Sequence, residues 1–367
     1  MRTPVLLLLV AGAMAGTVTG CGPTSRLPAV SAAEAAAEAA RQKQLAVLSY
    51  RDEYVRLFEV ATPILIGSAA LCGARTARYS GIVVGSVDSF GADFKQAART
   101  ALGLDDRLAV IHVVAGSPAD RAGVVQGMTI LDVAGKPAPS GRLAGVKFQE
   151  LATAAGERLE LTVEGAARHL AVPQIEMCDY DLAVVLDDSV NAFANGEGIV
   201  LTRGMMRFAA ADPELAAVVG HELAHNVLRH VDKKKAQAIP GLLVDLLFAA
   251  AGISTGGLAT RIAAQAYSQG YEAEADYVGL YLMARAGYDI TAVPDFWRRM
   301  GANRPGAISH ATTHPTTAQR YVALDKAVRE IAAKQAADEP LLPETEFDPP
   351  TRRQRQDFDP MTGDQRL

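Results

Sequence analysis

Apolar residues recur at helical spacing near both ends of this chain and alternate with polar residues in its middle. Residues 32–58 are rich in Ala, Glu, Arg and Leu, a composition that predicts a helix. Between residues 88 and 173, the apolar run Leu108–Val114 and the alternating segment 159–163 predict strands joined by glycine-containing turns. The pattern therefore indicates helical parts around a β-rich segment.

The second half of the chain predicts two strands and then two long helices. The strands should flank the turn at residues 195–198. Asp212, a helix cap before a proline, begins a helix expected to run to about His230, and a later helix ends near Gly287. Between them, the apolar segment 239–262 contains an aspartate and several glycines. It predicts a core or lid helix rather than a membrane span.

The overall composition predicts a globular protein without a nucleic-acid partner. Hydrophobic residues make up 49% of the 367 positions and charged residues 21%. The net charge is −5, and no basic run interleaved with aromatic residues occurs. The Pro-rich, charged segment 336–367 is predicted to be a disordered tail.

The N-terminus has the pattern of a signal peptide. Arg2 precedes an apolar stretch that is too short for a confident membrane span. Residues 18–21, Val-Thr-Gly-Cys, resemble the lipobox of bacterial lipoproteins, which implies lipidation of Cys21 as the mature N-terminus. Gly22 after the cysteine favours the outer membrane by the same resemblance. Residues 13–15, Ala-Met-Ala, also fit ordinary signal cleavage.

Two further cysteines, Cys72 and Cys178, follow the N-terminal one. An exported protein folds in an oxidising compartment, so these two are candidates for a disulfide. Two buried free thiols are the alternative, because a sequence does not report the distance between them. We favour the disulfide.

The pattern His221-Glu222-Leu223-Ala224-His225 predicts a metal site on the first long helix. Residues four apart stack on one helix face, so both imidazoles can bind one ion. Glu222 is offset by one residue and can act as general base on a water bound to that ion. The alternative is a pair of surface histidines on an ordinary helix. A third protein ligand would exclude that alternative.

The third ligand is predicted to be a carboxylate of the second long helix. His230 lies about 140° from His225 around a continuous helix and should point away. Glu272 and Asp276 are four apart and share a face. Glu272 can therefore bind the metal while Asp276 accepts a hydrogen bond from a ligating histidine. Glu274 is about 200° from Glu272 and should face solvent. A solvated acidic helix is the alternative.

Residues 116–136 resemble the centre of a bacterial PDZ domain. They contain, in order, a Gly-Ser-Pro-Ala helix start, an Ala-Gly stop, a Gly-x-x-Ile-Leu segment and a Gly-Lys turn. The resemblance implies a domain over residues 81–174 that captures an extended peptide at a sheet edge. A glycine-rich turn in an unrelated β-domain is the alternative.

The metal motif and its neighbours resemble the M48 family of zinc metallopeptidases, which includes periplasmic lipoproteins of outer-membrane quality control. The resemblance is carried by the two metal-site segments and by three further features: the strand Asn191-Ala192-Phe193-Ala194, His314-Pro315, and Arg320. It implies one Zn²⁺ per chain and substrate pairing at residues 191–194. It also implies that His314 can occupy the open metal position and that Arg320 lies behind the ligands. The oxyanion donor is left open among His310, His314 and Arg320.

These patterns predict an α+β fold, in which a mainly helical zincin-type metallopeptidase domain with a small edge sheet contains an inserted PDZ-like, β-rich domain. The predicted divisions are a signal peptide (1–20), a tether (21–33), an N-terminal helical part of the peptidase domain (34–80), the PDZ-like domain (81–174), the metallopeptidase domain (175–335) and the tail (336–367).

The function expected from this organisation is zinc-dependent cleavage of misfolded or envelope proteins in the periplasm by an enzyme lipid-anchored to the outer membrane. The alternative is a non-proteolytic peptide-binding or chaperone-like lipoprotein with a latent zinc site. Protein substrates and the membrane are the expected partners. Hydrolysis of casein, with and without a chelator, separates the two functions.

Overall fold

The computed structural model describes residues 28–165, 168–233, 268–303 and 318–345. The chain divides into two compact units, residues 1–40 and 41–367. In the first unit, the Ser31 hydroxyl accepts a hydrogen bond from the Glu34 backbone N–H, and the Glu34 carboxylate accepts one from the Ser31 N–H. This reciprocal cap explains why the first helix begins at Ala32.

The structure combines long helices with small sheets, as the α+β prediction requires. Within the described ranges the α-helices are α1 Ala32–Gly67, α2 Lys95–Leu102, α3 Pro118–Arg121, α4 Ala144–Ala154, α5 Arg203–Phe208, α6 Asp212–Val227, α7 Ser268–Arg285, α8 Val293–Asn303 and α9 Ala318–Ala336. The strands are β1 Thr76–Tyr79, β2 Ile82–Gly85, β3 Ala109–Val113, β4 Ile130–Val133, β5 Lys136–Pro137, β6 Arg158–Val163, β7 Arg168–Pro173, β8 Ile175–Cys178, β9 Asp181–Val185, β10 Ala192–Ala194 and β11 Gly198–Thr202.

The β-rich segment predicted in the middle of the chain has its own buried core. Strands β5, β4, β6 and β7 form an antiparallel sheet in that order, and β2 pairs with β3. Alternating residues of β6, such as Leu159 and Leu161, are buried in one core with Ile130 of β4 and Phe148 of α4. Burial of one face explains the period-two pattern seen in the sequence.

The chain segments that enter and leave this β-rich segment pair with each other. Strand β1 pairs antiparallel with β8, from Thr76 opposite Cys178 to Tyr79 opposite Ile175. The structure links Cys72 to Cys178 by a disulfide, with their Cα atoms 5.6 Å apart. The intervening chain therefore leaves and returns at adjacent points, which is the arrangement that an inserted domain needs.

Three strands, not the two predicted, lie between residues 181 and 202. Strand β11 pairs in parallel with β9 and antiparallel with β10. The β10–β11 turn is closed by Asn195, whose side-chain oxygen accepts hydrogen bonds from the backbone N–H groups of Glu197 and Gly198. The first of the two predicted strands is divided into β9 and β10, and β10 coincides with the strand that the family resemblance implied at residues 191–194.

The second core surrounds α6 and α7 and includes the end of α1. Helix α1 continues to Gly67, past the predicted end at Phe58 and through Pro63. Val60, Ile64 and Leu65 on this continuation are almost completely buried. Their burial offsets the helix hydrogen bond that proline removes. Among the described helices, none is both long enough and apolar enough to cross a membrane.

Candidate metal centre

Helix α6 brings two histidines into the protein interior. Asp212 is its first helical residue rather than the predicted cap, and the Glu214 carboxylate accepts a hydrogen bond from the backbone N–H of Ala211. Every residue from Leu215 to Val227 is buried, including His221 and His225. Buried imidazoles require hydrogen-bonding or metal-ligating partners, so the environment of these two rings decides their role.

Glu272 of α7 meets both histidines. The Nε2 atoms of His221 and His225 lie 3.1 Å apart. The carboxylate oxygens of Glu272 lie 3.3 Å from the His221 Nε2 and 3.4 Å from the His225 Nε2. Ligand atoms bonded to a tetrahedral zinc ion at about 2.0–2.1 Å lie about 3.3–3.4 Å from one another. The three side chains therefore fit zinc in both donor type and spacing.

A close helix crossing makes this convergence possible. A Cβ atom built on Gly220 would lie 2.9 Å from the carbonyl oxygen of Gly279, and one on Gly279 would lie 3.0 Å from the His221 backbone nitrogen. Glu272, Asp276 and Gly279 are spaced i, i+4 and i+7, so the glycine lies on the same face of α7 as the two acids. Mid-helix glycines were the sequence signal for this contact.

Substituting Gly279 by alanine is expected to push α6 and α7 apart. We expect the variant to lose about 1–3 kcal/mol of unfolding free energy through overpacking, and to bind zinc more weakly. Urea unfolding and zinc titration measure both effects. Gly270→Ala is the matched control, since a Cβ there meets nothing within 4 Å, and it should be neutral or slightly stabilising. Equal stability of the two variants would contradict the tight crossing.

Behind His221 lies a buried ion pair. The His221 Nδ1 is 3.0 Å from a carboxylate oxygen of Asp276. Arg320 of α9 donates two hydrogen bonds to the same carboxylate, at 2.6 and 2.8 Å. Burial alone would lower the pKa of His221, but Asp276 and Glu272 raise that pKa to about 10. The two carboxylates thus create a buried environment that favours positive charge.

Two residues behind His225 were assigned wrongly from the sequence. The His230 Nδ1 lies 2.9 Å from the His225 Nδ1, and its Nε2 lies 3.0 Å from a Glu274 carboxylate oxygen. His230 does not point away, because α6 ends at Val227 and Arg229 adopts a left-handed φ of 57°. The 100° rule does not extend beyond the last helical residue. Glu274 is only partly exposed, because its carboxylate contacts the buried His230 ring.

Glu222 and Trp297 are two further residues beside His221. Glu222 follows the first histidine ligand and is buried, with 2% of its surface exposed. The indole of Trp297, on α8, lies against the His221 ring with centroids 5.1 Å apart. It is the only tryptophan of the chain. Its fluorescence should therefore report events at this histidine.

The predicted substrate strand, residues 191–194, lies beside the metal helix. Its hairpin is held by Asn226, whose side-chain oxygen accepts a hydrogen bond from the Gly196 N–H and whose amide donates to the Gly198 carbonyl. Asn226 directly follows His225, so the strand and the ligand are positioned together. Ala192 is buried, whereas 38% of Phe193 is exposed.

Other predicted site residues lie outside the described residues. These are Cys21, His310 and His314. Their predicted roles in lipidation, oxyanion binding and metal blocking stay predictions.

Comparisons with known proteins find similarity to metallopeptidases in the region that contains this metal centre. Residues 154–328 match the model of peptidase family M48. Mitochondrial metalloendopeptidase OMA1 of Arabidopsis thaliana is 31% identical over 173 residues, or 43% of this chain and 34% of that protein. The same-named protein of Schizosaccharomyces pombe is 30% identical, with 46% and 52% covered. The β-barrel assembly-enhancing protease of Escherichia coli K12 is 30% identical, with 37% and 32% covered.

The match to these three relatives spans about a third to a half of their lengths. A crystal structure of the HtrA3 PDZ domain with a phage-derived ligand is similar over 28% of this chain and 88% of that one, at 19% identity. Its TM-score of 0.21 is too low to support a conclusion about the fold. The region that holds the metal centre, residues 154–328, is therefore similar to peptidase family M48 and to named metalloendopeptidases.

Proposed function

We propose that this chain is a zinc-dependent endopeptidase of the cell envelope that hydrolyses peptide bonds of misfolded or envelope proteins. The observation that carries the proposal is the spacing of the three buried ligand atoms of His221, His225 and Glu272. Catalytic zinc takes three protein ligands and keeps one position for water or substrate, whereas structural zinc normally takes four. Among the described residues, the cluster offers three.

The proposed chemistry divides between the ion and the chain. His221, His225 and Glu272 would hold the zinc ion, which would supply Lewis acidity for activating water and polarising a carbonyl. Glu222 accepts the proton of the attacking water and returns it to the leaving amine. Asp276, fixed by Arg320, orients the His221 ring through its Nδ1.

Substrate would bind as an added strand at β10. In the described sheet, β10 lies at one end of the order β10-β11-β9, and strand addition of this kind takes place at a sheet edge. The exposed ring of Phe193 gives this edge an apolar contact. Asn191, Ala192 and Ala194 complete the proposed substrate-binding strand.

Substrate capture is assigned to the PDZ-like segment, residues 81–174. Its strand β2 and helix α4 border a cavity of about 300 Å³ that Tyr54 and Phe58 of α1 also line. A cavity with aromatic walls suits an apolar peptide side chain. We further propose that His314 blocks the metal in a resting state.

The envelope location rests on two supports. The lipobox-like residues 18–21 would anchor the protein through lipid on Cys21. The name of the bacterial relatives, β-barrel assembly-enhancing protease, suggests work on envelope proteins. Periplasmic attachment to the outer membrane is therefore part of the proposal.

Incubation of the purified protein with casein tests the proposed activity. We expect cleavage that stops with a chelator and returns when zinc is added at one ion per chain. Zinc binding is followed separately through Trp297 fluorescence. If the zinc-loaded protein and its His314→Ala variant both leave casein intact, the peptide-binding alternative is favoured.

A further inference from the structure

The two histidine ligands are supported in different ways. Behind His221 lies a carboxylate, Asp276, neutralised by the bidentate Arg320. Behind His225 lies another histidine, His230, with none of its surface exposed. The second arrangement does not form part of the mechanism described above.

The hydrogen bonds behind His225 run in one direction when this residue binds metal. Its Nε2 faces the other ligand atoms, so a neutral ring carries its proton on Nδ1. That N–H then donates to the His230 Nδ1, at 2.9 Å. The His230 Nε2–H donates in turn to the Glu274 carboxylate, at 3.0 Å. In neutral rings, the opposite order would leave a proton on the metal-facing nitrogen.

The surroundings hold His230 in this place. Its ring stacks on Tyr271, with centroids 4.5 Å apart and planes inclined by 27°. The left-handed conformation of Arg229 directs the chain back toward α7 after α6 has ended. Glu274, with 32% of its side chain exposed, connects the buried ring to the surface.

We propose that His230 is a positioning residue that fixes the tautomer and ring orientation of His225, with Glu274 anchoring it. This inference rests on the proposed zinc site. It assigns a role to two residues of the metal centre that do not touch the ion. Partners of this kind typically contribute about 10–100-fold to metal affinity.

Three variants test the proposal. His230→Phe keeps the ring that stacks on Tyr271 but removes the acceptor. His230→Gln keeps an acceptor for the His225 N–H and a donor for Glu274. Glu274→Ala removes the anchor, together with a 3.5 Å hydrogen bond from the Thr345 hydroxyl, at a partly exposed position that should tolerate the change. His169→Ala is the matched control, because His169 is an exposed histidine on β7 whose ring forms a hydrogen bond with Thr162, away from the metal centre.

Zinc dissociation constants, measured by competition with a chromophoric chelator, decide the outcome. We expect about 10–100-fold weaker binding for His230→Phe, about tenfold for Glu274→Ala, and near-native binding for His230→Gln and the control. Cobalt absorption spectra should change in His230→Phe alone among the His230 variants. Native affinity in both His230→Phe and Glu274→Ala would overturn the proposal, as would equal losses in His230→Phe and His230→Gln.

The same measurements separate this inference from the proposed function. A wild-type protein that binds no zinc would refute the zinc site itself. A wild-type protein that binds one zinc and cleaves casein, with His230→Phe binding equally tightly, would refute only the positioning role.

Discussion

Glu222→Gln is expected to bind zinc as the wild-type protein does and to hydrolyse peptides about 10²–10⁴-fold more slowly. Glutamine has nearly the same volume, so the buried position beside His221 should keep its packing. The amide does not accept the proton of the attacking water, which removes general-base catalysis. Rates on a peptide substrate, together with zinc stoichiometry, measure the two properties separately.

Glu214→Gln is the matched control for this experiment. Glu214 lies in the first turn of the same helix and pairs with Arg299 at the surface, at 2.8 Å. Its replacement removes the same charge from α6 without touching the metal centre, so activity should stay near the wild-type level. Full activity of Glu222→Gln would rule out the assigned base. Loss of zinc from that variant would instead indicate a structural role for Glu222.

Removing the disulfide is expected to have the largest effect on stability. Cys72 and Cys178 are separated by 106 positions. A cross-link that closes a loop of about 100 residues restricts the unfolded chain by roughly 4–5 kcal/mol in the chain-entropy model, and measured losses are typically about 2–5 kcal/mol. The double variant with alanine at both positions should lose free energy of unfolding by about that amount, measured with urea.

The two single variants provide the control. Both sulfurs belong to one bond, so Cys72→Ala, Cys178→Ala and the double variant should be destabilised by similar amounts rather than additively. A reductant should lower the free energy of unfolding of the wild-type protein and leave that of the double variant unchanged. If the double variant unfolds at the wild-type urea concentration, or if native protein titrates with two free thiols, the bridge does not stabilise the protein.

Much of the site could be predicted from the spacing of residues within single helices. His221 and His225, and likewise Glu272 and Asp276, share helix faces because residues four apart always do. The helix start within residues 116–136 also depends on neighbouring residues, and in the structure the Ser117 hydroxyl accepts a hydrogen bond from the Asp120 backbone N–H. Such features follow from backbone geometry within one or two turns, so an isolated sequence can indicate them.

Contacts between distant segments could not be predicted in this way. The distance from Glu272 to the histidines depends on Gly220 meeting Gly279, an approach between two helices whose mutual packing has no local pattern. The division of one predicted strand into β9 and β10 depends on their separate pairing with β11. The continuation of α1 through Pro63 depends on the core that buries it. Each is stabilised by burial or hydrogen bonds with segments far away in the chain.

The sequence by itself therefore determined which side chains can bind the metal and which of them share a helix face, because ligand type and helical periodicity are local properties. Only the tertiary structure decided how these side chains come together around one point. Helix α6 ends at Val227, and the reversal at Arg229 then returns His230 to the ligand that it supports. A periodic pattern describes a helix only while the helix lasts, and the packed structure decides where it stops.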